Sequence, residues 1–247
     1  MMKTRQLSNQ SNLVHSFTLR TWLYIFAIIA SALLILSPGW KQALLSIIIL
    51  LFVALLSYWL IQKSIVSYTL TATHFQQHLF KGGWVLKWSN ISKIEICHYD
   101  NDGWQQPLPW IGIQIKHYTP YLESICPRIA TEILLSQRAL LYLGLKQSKE
   151  NRQFEDIVLD TTPYKNRKGE TFSGLQAMLA NRMSYQRLYM GYDLFISAND
   201  LDRPIDEFVG LTRRYLAAVA SETQGNDVFL TDDPTVSNTS THKKRPP

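Results

Sequence analysis

Val66-Ser67-Tyr68-Thr69-Leu70-Thr71 alternates apolar and polar residues with a period of two, the pattern of a half-buried strand. Phe75, Gln77 and Leu79 continue it after a short turn. Lys81-Gly82-Gly83 then closes a hairpin into Trp84-Val85-Leu86-Lys87-Trp88. Trp84 and Trp88 share strand parity, so both are expected to anchor the sheet core. Ile91, Ile94 and Ile96 predict a further strand, which Asp100-Asn101-Asp102-Gly103 ends, and Trp110 to Lys116 predicts the next. Short antiparallel strands joined by tight turns make a curved sheet or partly open barrel.

Upstream the composition changes. Between Thr21 and Gln62 the one charged residue is Lys41, and it sits in the turn Ser37-Pro38-Gly39-Trp40-Lys41. That turn divides two apolar runs, Trp22 to Leu36 and Ala43 to Ile61. Each is close to the roughly 20 helical residues that cross a hydrocarbon core. The reading is a transmembrane hairpin over 21–62, with spans at about 21–37 and 42–62. A cleaved signal peptide fits less well, because the polar leader is long, no clear A-x-A site follows Leu36, and a second span arrives at once. Buried core helices would keep a polar stripe, and Ile25-Phe26-Ala27-Ile28-Ile29 has none. Lys3, Arg5, Arg20 and Lys63 flank the runs while the turn holds only Lys41. The positive-inside tendency therefore predicts an integral inner-membrane protein with both termini cytoplasmic, residues 1–20 being a cytoplasmic tail. Trp22, Tyr24, Tyr58 and Trp59 would lie at the inner interface and Trp40 at the outer.

Downstream, helices take over. Pro127 suits a first helical turn, and Ile129, Ile133, Leu134 and Leu141 follow at helical spacing. Glu155 to Asp160 around Ile157-Val158-Leu159 reads as an edge strand, and Thr161 to Thr171 as a loop. Leu175, Met178, Leu179 and Met183 mark a helix stopped near Gly191. Tyr192 to Ile196 is a last strand, and a final helix runs from about Pro204 to Ala220. The chain is thus α+β, with a cytoplasmic domain over 63–220, a helical insertion over about 118–190, and a polar tail over 221–247 expected to be disordered.

Tyr68-Thr69-Leu70-Thr71, His74-Phe75, Phe80-Lys81-Gly82-Gly83 and Trp88-Ser89-Asn90-Ile91-Ser92-Lys93-Ile94 together resemble the opening of bacterial pleckstrin-homology-like (PH-like) domains. Following a two-helix hairpin, the arrangement is similar to an uncharacterised family of bacterial inner-membrane proteins. The resemblance implies a PH-like antiparallel sheet or partial barrel with a C-terminal helix. Eukaryotic PH domains bind inositol phosphates through basic residues near the first hairpin turn. Leu70-Thr71-Ala72-Thr73-His74 carries no Lys or Arg, so that recognition is not implied.

The net charge is +6 and the pI about 9.2, which suits a neighbour of the anionic inner leaflet. No dense basic stripe points to nucleic acid. Cys97 and Cys126 lack C-x-x-C spacing and read as buried thiols. His74 and His78 stand about 13 Å apart on a strand, too far to share an ion. Aligning Gly103 with a calcium-loop glycine puts His98 and Pro109 at the anchoring ligand positions, so the segment is a turn. Gly82-Gly83 has no phosphate-loop context, and no G-x-S-x-G is present. No catalytic, cofactor or metal site is therefore expected. Lys63, Lys81, Lys165, Arg167 and Lys168 are candidate contacts for anionic lipid or a partner. The expected function is a non-enzymatic PH-like module that docks a protein partner, or another copy of itself, at the bilayer. The alternative is a membrane enzyme acting on lipid-linked or envelope substrates through the helical insertion.

Overall fold

A computed structural model describes residues 3–9, 18–36, 39–80, 82–101, 103–148 and 152–231. The protein is α+β, with antiparallel sheets and several helices. Strand β1 (Arg5–Ser8) comes first, then helices α1 (Thr18–Leu36) and α2 (Trp40–Lys63). Strands β2 (Val66–Leu70), β3 (His74–Leu79) and β4 (Gly82–Lys87) complete a four-stranded sheet of order β1-β2-β3-β4. Strands β5 (Ile91–Asn101), β6 (Trp104–Ile115) and β9 (Leu194–Ser197) form the second sheet, in that order. Between β6 and β9 lie α3 (Thr119–Ser124), α4 (Pro127–Ser136), α5 (Arg138–Ser148) and α6 (Phe154–Val158). A ribbon of β7 (Tyr164–Lys165) and β8 (Thr171–Phe172) and then α7 (Gly174–Met190) complete that insertion. The final helix is α8 (Ile205–Thr231).

The alternation in β2 is real burial: Val66, Tyr68 and Leu70 face inward and the residues between them are half-buried. Trp84 and Trp88 are both buried, as their parity predicts. Trp88 leaves the strand, however, because β4 ends at Lys87 and Trp88–Asn90 forms a one-turn 3-10 corner into β5. The indole of Trp88 stacks on Phe75 (centroids 5.4 Å apart) and on Tyr215 of α8 (5.6 Å). Phe208 adds an edge contact to Tyr68 at 5.3 Å. Helix α8 thus closes the core over both sheets. Pairs of this kind add about 0.5–1.5 kcal/mol each beyond the area they bury.

The helix α2 has 24 residues and a most apolar window of mean hydropathy 2.8, none of it buried within the protein. Among the described residues it is the one helix long and apolar enough to cross a membrane. Helix α1 lies against it.

Several expectations are corrected. Residues 1–20 are not simply a tail, since Arg5–Ser8 pairs antiparallel with β2 from Leu70 to Ser67 and buries Leu7. One inward residue in a four-residue strand is too short a pattern to read. Glu155 to Asp160 is not an edge strand: Phe154–Val158 is helical and buries the consecutive residues Ile157 and Val158, which a strand would send to opposite faces. The loop over Thr161 to Thr171 contains the β7–β8 ribbon. The helical pattern from Pro127 to Leu141 is two helices parted at Gln137, whose Nε2 donates to the Phe195 carbonyl at 3.1 Å. Helix α8 runs to Thr231, into the stretch read as disordered from composition. An established helix propagates at low cost through polar residues. Residues 232–247 and Lys81 lie outside the described residues.

Asn9 ties the two ends of the helical pair together. Its backbone N–H donates to the Val66 carbonyl (3.1 Å) and its Nδ2 to the Ser64 carbonyl (3.1 Å). Its Oδ1 accepts from the Val66 N–H at 3.2 Å. The chain therefore leaves the sheet after β1 and re-enters it beside the point of departure.

Candidate functional site

Among the described residues no strand pairs with the outer edge of β5, and α8 runs beside it. In an antiparallel ladder, alternate residues turn their N–H and C=O toward and away from the partner strand. Ile113 of β6 spends its carbonyl on the Asp193 N–H (3.0 Å), on the β9 side. Its partner Ile94 therefore points its backbone away from β6, and Ile96, two residues on, does the same. Arg213 of α8 takes the Ile94 carbonyl through Nε at 2.9 Å. The backbone of Ile96 faces a cleft of about 260 Å³ lined by Glu95, Ile96, His98, Asp206, Val209, Gly210 and Arg213. A Cβ on Gly210 would meet nothing within 4 Å, so the glycine leaves room on the helix side. The opposite edge of the sheet is occupied, because Gln137 bonds the β9 backbone at Phe195.

One charged group at the cleft is fixed. Glu95 accepts from Lys93 Nζ (2.6 Å) and the Tyr192 hydroxyl (2.8 Å), and pairs with Arg213 at 3.3 Å. Partial burial works to raise the Glu95 pKa, but the bonds from Lys93 and Tyr192 and the two nearby cations hold it below the ordinary carboxylate value. Tyr192 lies flat over Gly112, where a Cβ would fall 2.3 Å from its ring. That close approach is what lets the hydroxyl reach Glu95 across β6. Asp206 is exposed and sits in the first turn of α8, where the helix dipole favours it. The cleft has an apolar floor of Ile96 and Val209, a polar rim and one open strand edge.

Two buried polar clusters were not legible in the sequence. Asp193 is wholly enclosed; it accepts from the Tyr118 hydroxyl (2.6 Å) and the Ile115 N–H (2.8 Å) and pairs with Arg187. Arg187 also bonds the Ile115 carbonyl and packs over the Tyr118 ring at 5.4 Å. Burial raises the Asp193 pKa against the pull of Arg187 and Tyr118. These bonds satisfy the last backbone groups of β6 and lash α7 to it, a structural task. Arg182 is 2% exposed and donates to the carbonyls of Val158 (3.1 Å) and Leu134 (3.5 Å), near the C-terminal ends of α6 and α4. A cation there complements both helix dipoles. Burial, and then the neighbouring Arg138, lower its pKa to about 10.

Residues 68–218 match the profile of a family described as protein of unknown function (DUF2982). The chain belongs to the DUF2982 family. No curated protein and no solved structure gives a significant match. The DUF2982 match runs from β2 into α8, so it takes in both sides of the cleft and the whole helical insertion.

In this DUF2982 protein the cationic candidates do not form one patch. Lys63 ends α2 at the neck, where the helical pair joins β1 and β2, with Nζ 5.3 Å over the Trp59 ring. Lys165, Arg167 and Lys168 are exposed on the β7–β8 turn. Asn166 organises that turn by accepting from the Lys168 and Glu170 N–H groups, both at 2.9 Å, and by donating to Thr119. Thr119 follows the β6 end that lies beside Asn90, so this basic turn sits near the far end of β4 from the neck. His74 and His78 share β3 and bond Thr73 and Thr69 respectively. Gly103 closes the β5–β6 turn with φ 91°, its N–H bonded to Asp100. Among the described residues no group of three His, Cys, Asp or Glu side chains is placed to hold a metal ion. Cys97 is buried and its thiol pKa is pushed up to about 12, so it stays protonated and unreactive.

Proposed function

We propose that this protein is a membrane-anchored, PH-like docking module, non-enzymatic, which receives an extended segment of a protein partner along the open edge of β5. The observation that carries the anchor is the pairing of β1 with β2 on either side of the helical pair, clamped by Asn9. Both flanks lie in one sheet, so they occupy one side of any bilayer the helices enter, and α1 and α2 together make a hairpin of two spans. The basic flanks Lys3, Arg5, Arg20 and Lys63 favour the cytoplasmic side of the inner membrane.

The PH-like reading is supported by topology. A four-strand antiparallel meander, a three-strand antiparallel meander and a closing C-terminal helix follow in order. The membrane hairpin interrupts the first turn of that plan, and the helical insertion interrupts the last. Docking is supported by the Ile96 backbone, turned away from β6, beside the room left at Gly210. Strand addition supplies affinity through main-chain bonds, and the polar rim supplies selectivity.

The test uses the full chain in native membranes. Reporters fused after Lys63 and after Thr231 read out on the cytoplasmic side. A photo-cross-linking residue at Ile96 traps a defined adduct that the same residue at Arg167 does not. Gly210→Trp, which fills the cleft, removes the adduct without lowering the melting temperature. Adducts made only with a second copy of the chain would replace the partner by self-association. A periplasmic reporter, or an adduct indifferent to Gly210→Trp, overturns the proposal.

A further inference from the structure

The register of the first sheet fixes what lies beside the neck. Val66, just past the end of α2 at Lys63, pairs with Leu79, and Leu79 pairs with Gly82. The β3–β4 turn is therefore level with Val66 and one to two strand spacings of about 4.8 Å to its side. It stands at the same end of the sheet as the helices. That turn carries Phe80, 52% exposed and outside the hydrophobic core and its partly buried shell. A tight turn asks for small or polar residues, so turn geometry does not account for an exposed ring there. The turn is also held in place: a Cβ on Gly82 would lie 3.3 Å from Cys126 Sγ and from Ile129, so the start of α4 backs it. Exposed Pro127 and Arg128 open that helix.

On the helix side, Tyr58 and Trp59 are exposed within the last two turns of α2, with Lys63 over the Trp59 ring. Aromatics backed by a basic residue at a helix end mark the membrane interface. A domain joined to the bilayer only through β1 and β2 would pivot about the neck. A third contact displaced to one side removes that freedom.

We propose that Phe80 enters the headgroup–acyl boundary of the bilayer that holds α1 and α2, and so fixes the tilt of the domain over the membrane. The inference rests on the membrane-anchored reading above, and its test separates the two. Full-length chains carrying Trp59→Cys, Phe80→Cys or Arg167→Cys, each with Cys126→Ser, are labelled with one environment-sensitive dye. The buried Cys97 stays unlabelled. The chains are placed in phosphatidylethanolamine–phosphatidylglycerol vesicles with a nitroxide lipid. Position 80 should be blue-shifted and quenched to within about a factor of two of position 59, matching an interfacial depth of about 5–10 Å. Position 167, with the same dye in water, should be quenched severalfold less. Quenching at 59 but not at 80 overturns the Phe80 contact and leaves the anchor standing. No quenching at any position overturns both.

Discussion

Trp88→Ala tests the core from its centre. The indole is fully enclosed, stacked on Phe75 and Tyr215 at interplanar angles of 11° and 25°, and its Nε1 donates to the Thr71 carbonyl at 2.9 Å. Truncation removes the ring and leaves a cavity that a sheet, a corner and a helix cannot jointly refill, a loss of about 3–5 kcal/mol. Trp88→Phe keeps an aromatic ring between Phe75 and Tyr215 but leaves the Thr71 carbonyl without its donor, a loss of about 1–3 kcal/mol. A domain with about 5–15 kcal/mol to lose feels both changes. The assay is urea unfolding of the full chain in nonionic micelles, followed by near-ultraviolet circular dichroism, which reports the packed aromatic cluster. With a slope of about 1–3 kcal/mol per molar urea, Trp88→Ala lowers the midpoint by at least about 1 M. Trp88→Phe falls between it and the parent. A Trp88→Ala midpoint equal to the parent's would refute the burial argument. Equal losses in both variants would assign the energy to the hydrogen bond and not to packing.

Asn9→Ala removes two side-chain bonds at the neck and should cost about 1 kcal/mol in the same titration. A soluble chain joining Asn9 to Ser64 through a short glycine-rich turn should melt above one that begins at Lys63, which lacks β1 and leaves β2 bare; equal melting would make β1 ornamental. Leu51→Asp places a charge in the middle of α2 at about 3 kcal/mol on insertion scales, so carbonate-resistant membrane retention should fall, and unchanged retention would count against a span there. Glu95→Gln addresses pH: the folded pKa lies below the ordinary value of 4.5, so the ion pairs contribute above that pH and the contribution fades as pH drops through the folded pKa. The variant should therefore be less stable than the parent near neutrality by about 0.5–1 kcal/mol, and the gap should close in acid; a constant gap would assign Glu95 a role unrelated to its charge.

The period-two alternation from Val66 to Trp88 determined the strands because nearly every inward residue there is a large apolar one, and the exception, Gln77, is buried with its Nε2 donating to the Tyr68 hydroxyl. The apolar density of residues 40–63 likewise determined a helix that fits a bilayer. The helix ending at Gly191 was legible for a local reason: Gly191 takes the left-handed conformation, φ 81°, that ends helices. Tertiary structure decided the rest. Whether Arg5–Ser8 is a tail or a strand depends on a partner edge that lies beyond the helical pair in the chain. Whether Phe154–Val158 is helix or strand depends on which neighbours cover Ile157 and Val158. The cleft is composed of residues separated by more than a hundred positions, Ile96 and Arg213 among them, and none carries a local signature. Its open edge is visible only once the sheet order is known, because an unpaired backbone looks like any other in the sequence. The buried pairs of Asp193 with Arg187 and of Arg182 with two helix ends were hidden for the same reason. Charged residues are read as surface until a fold supplies the carbonyls, hydroxyls and counter-charges that let them be enclosed.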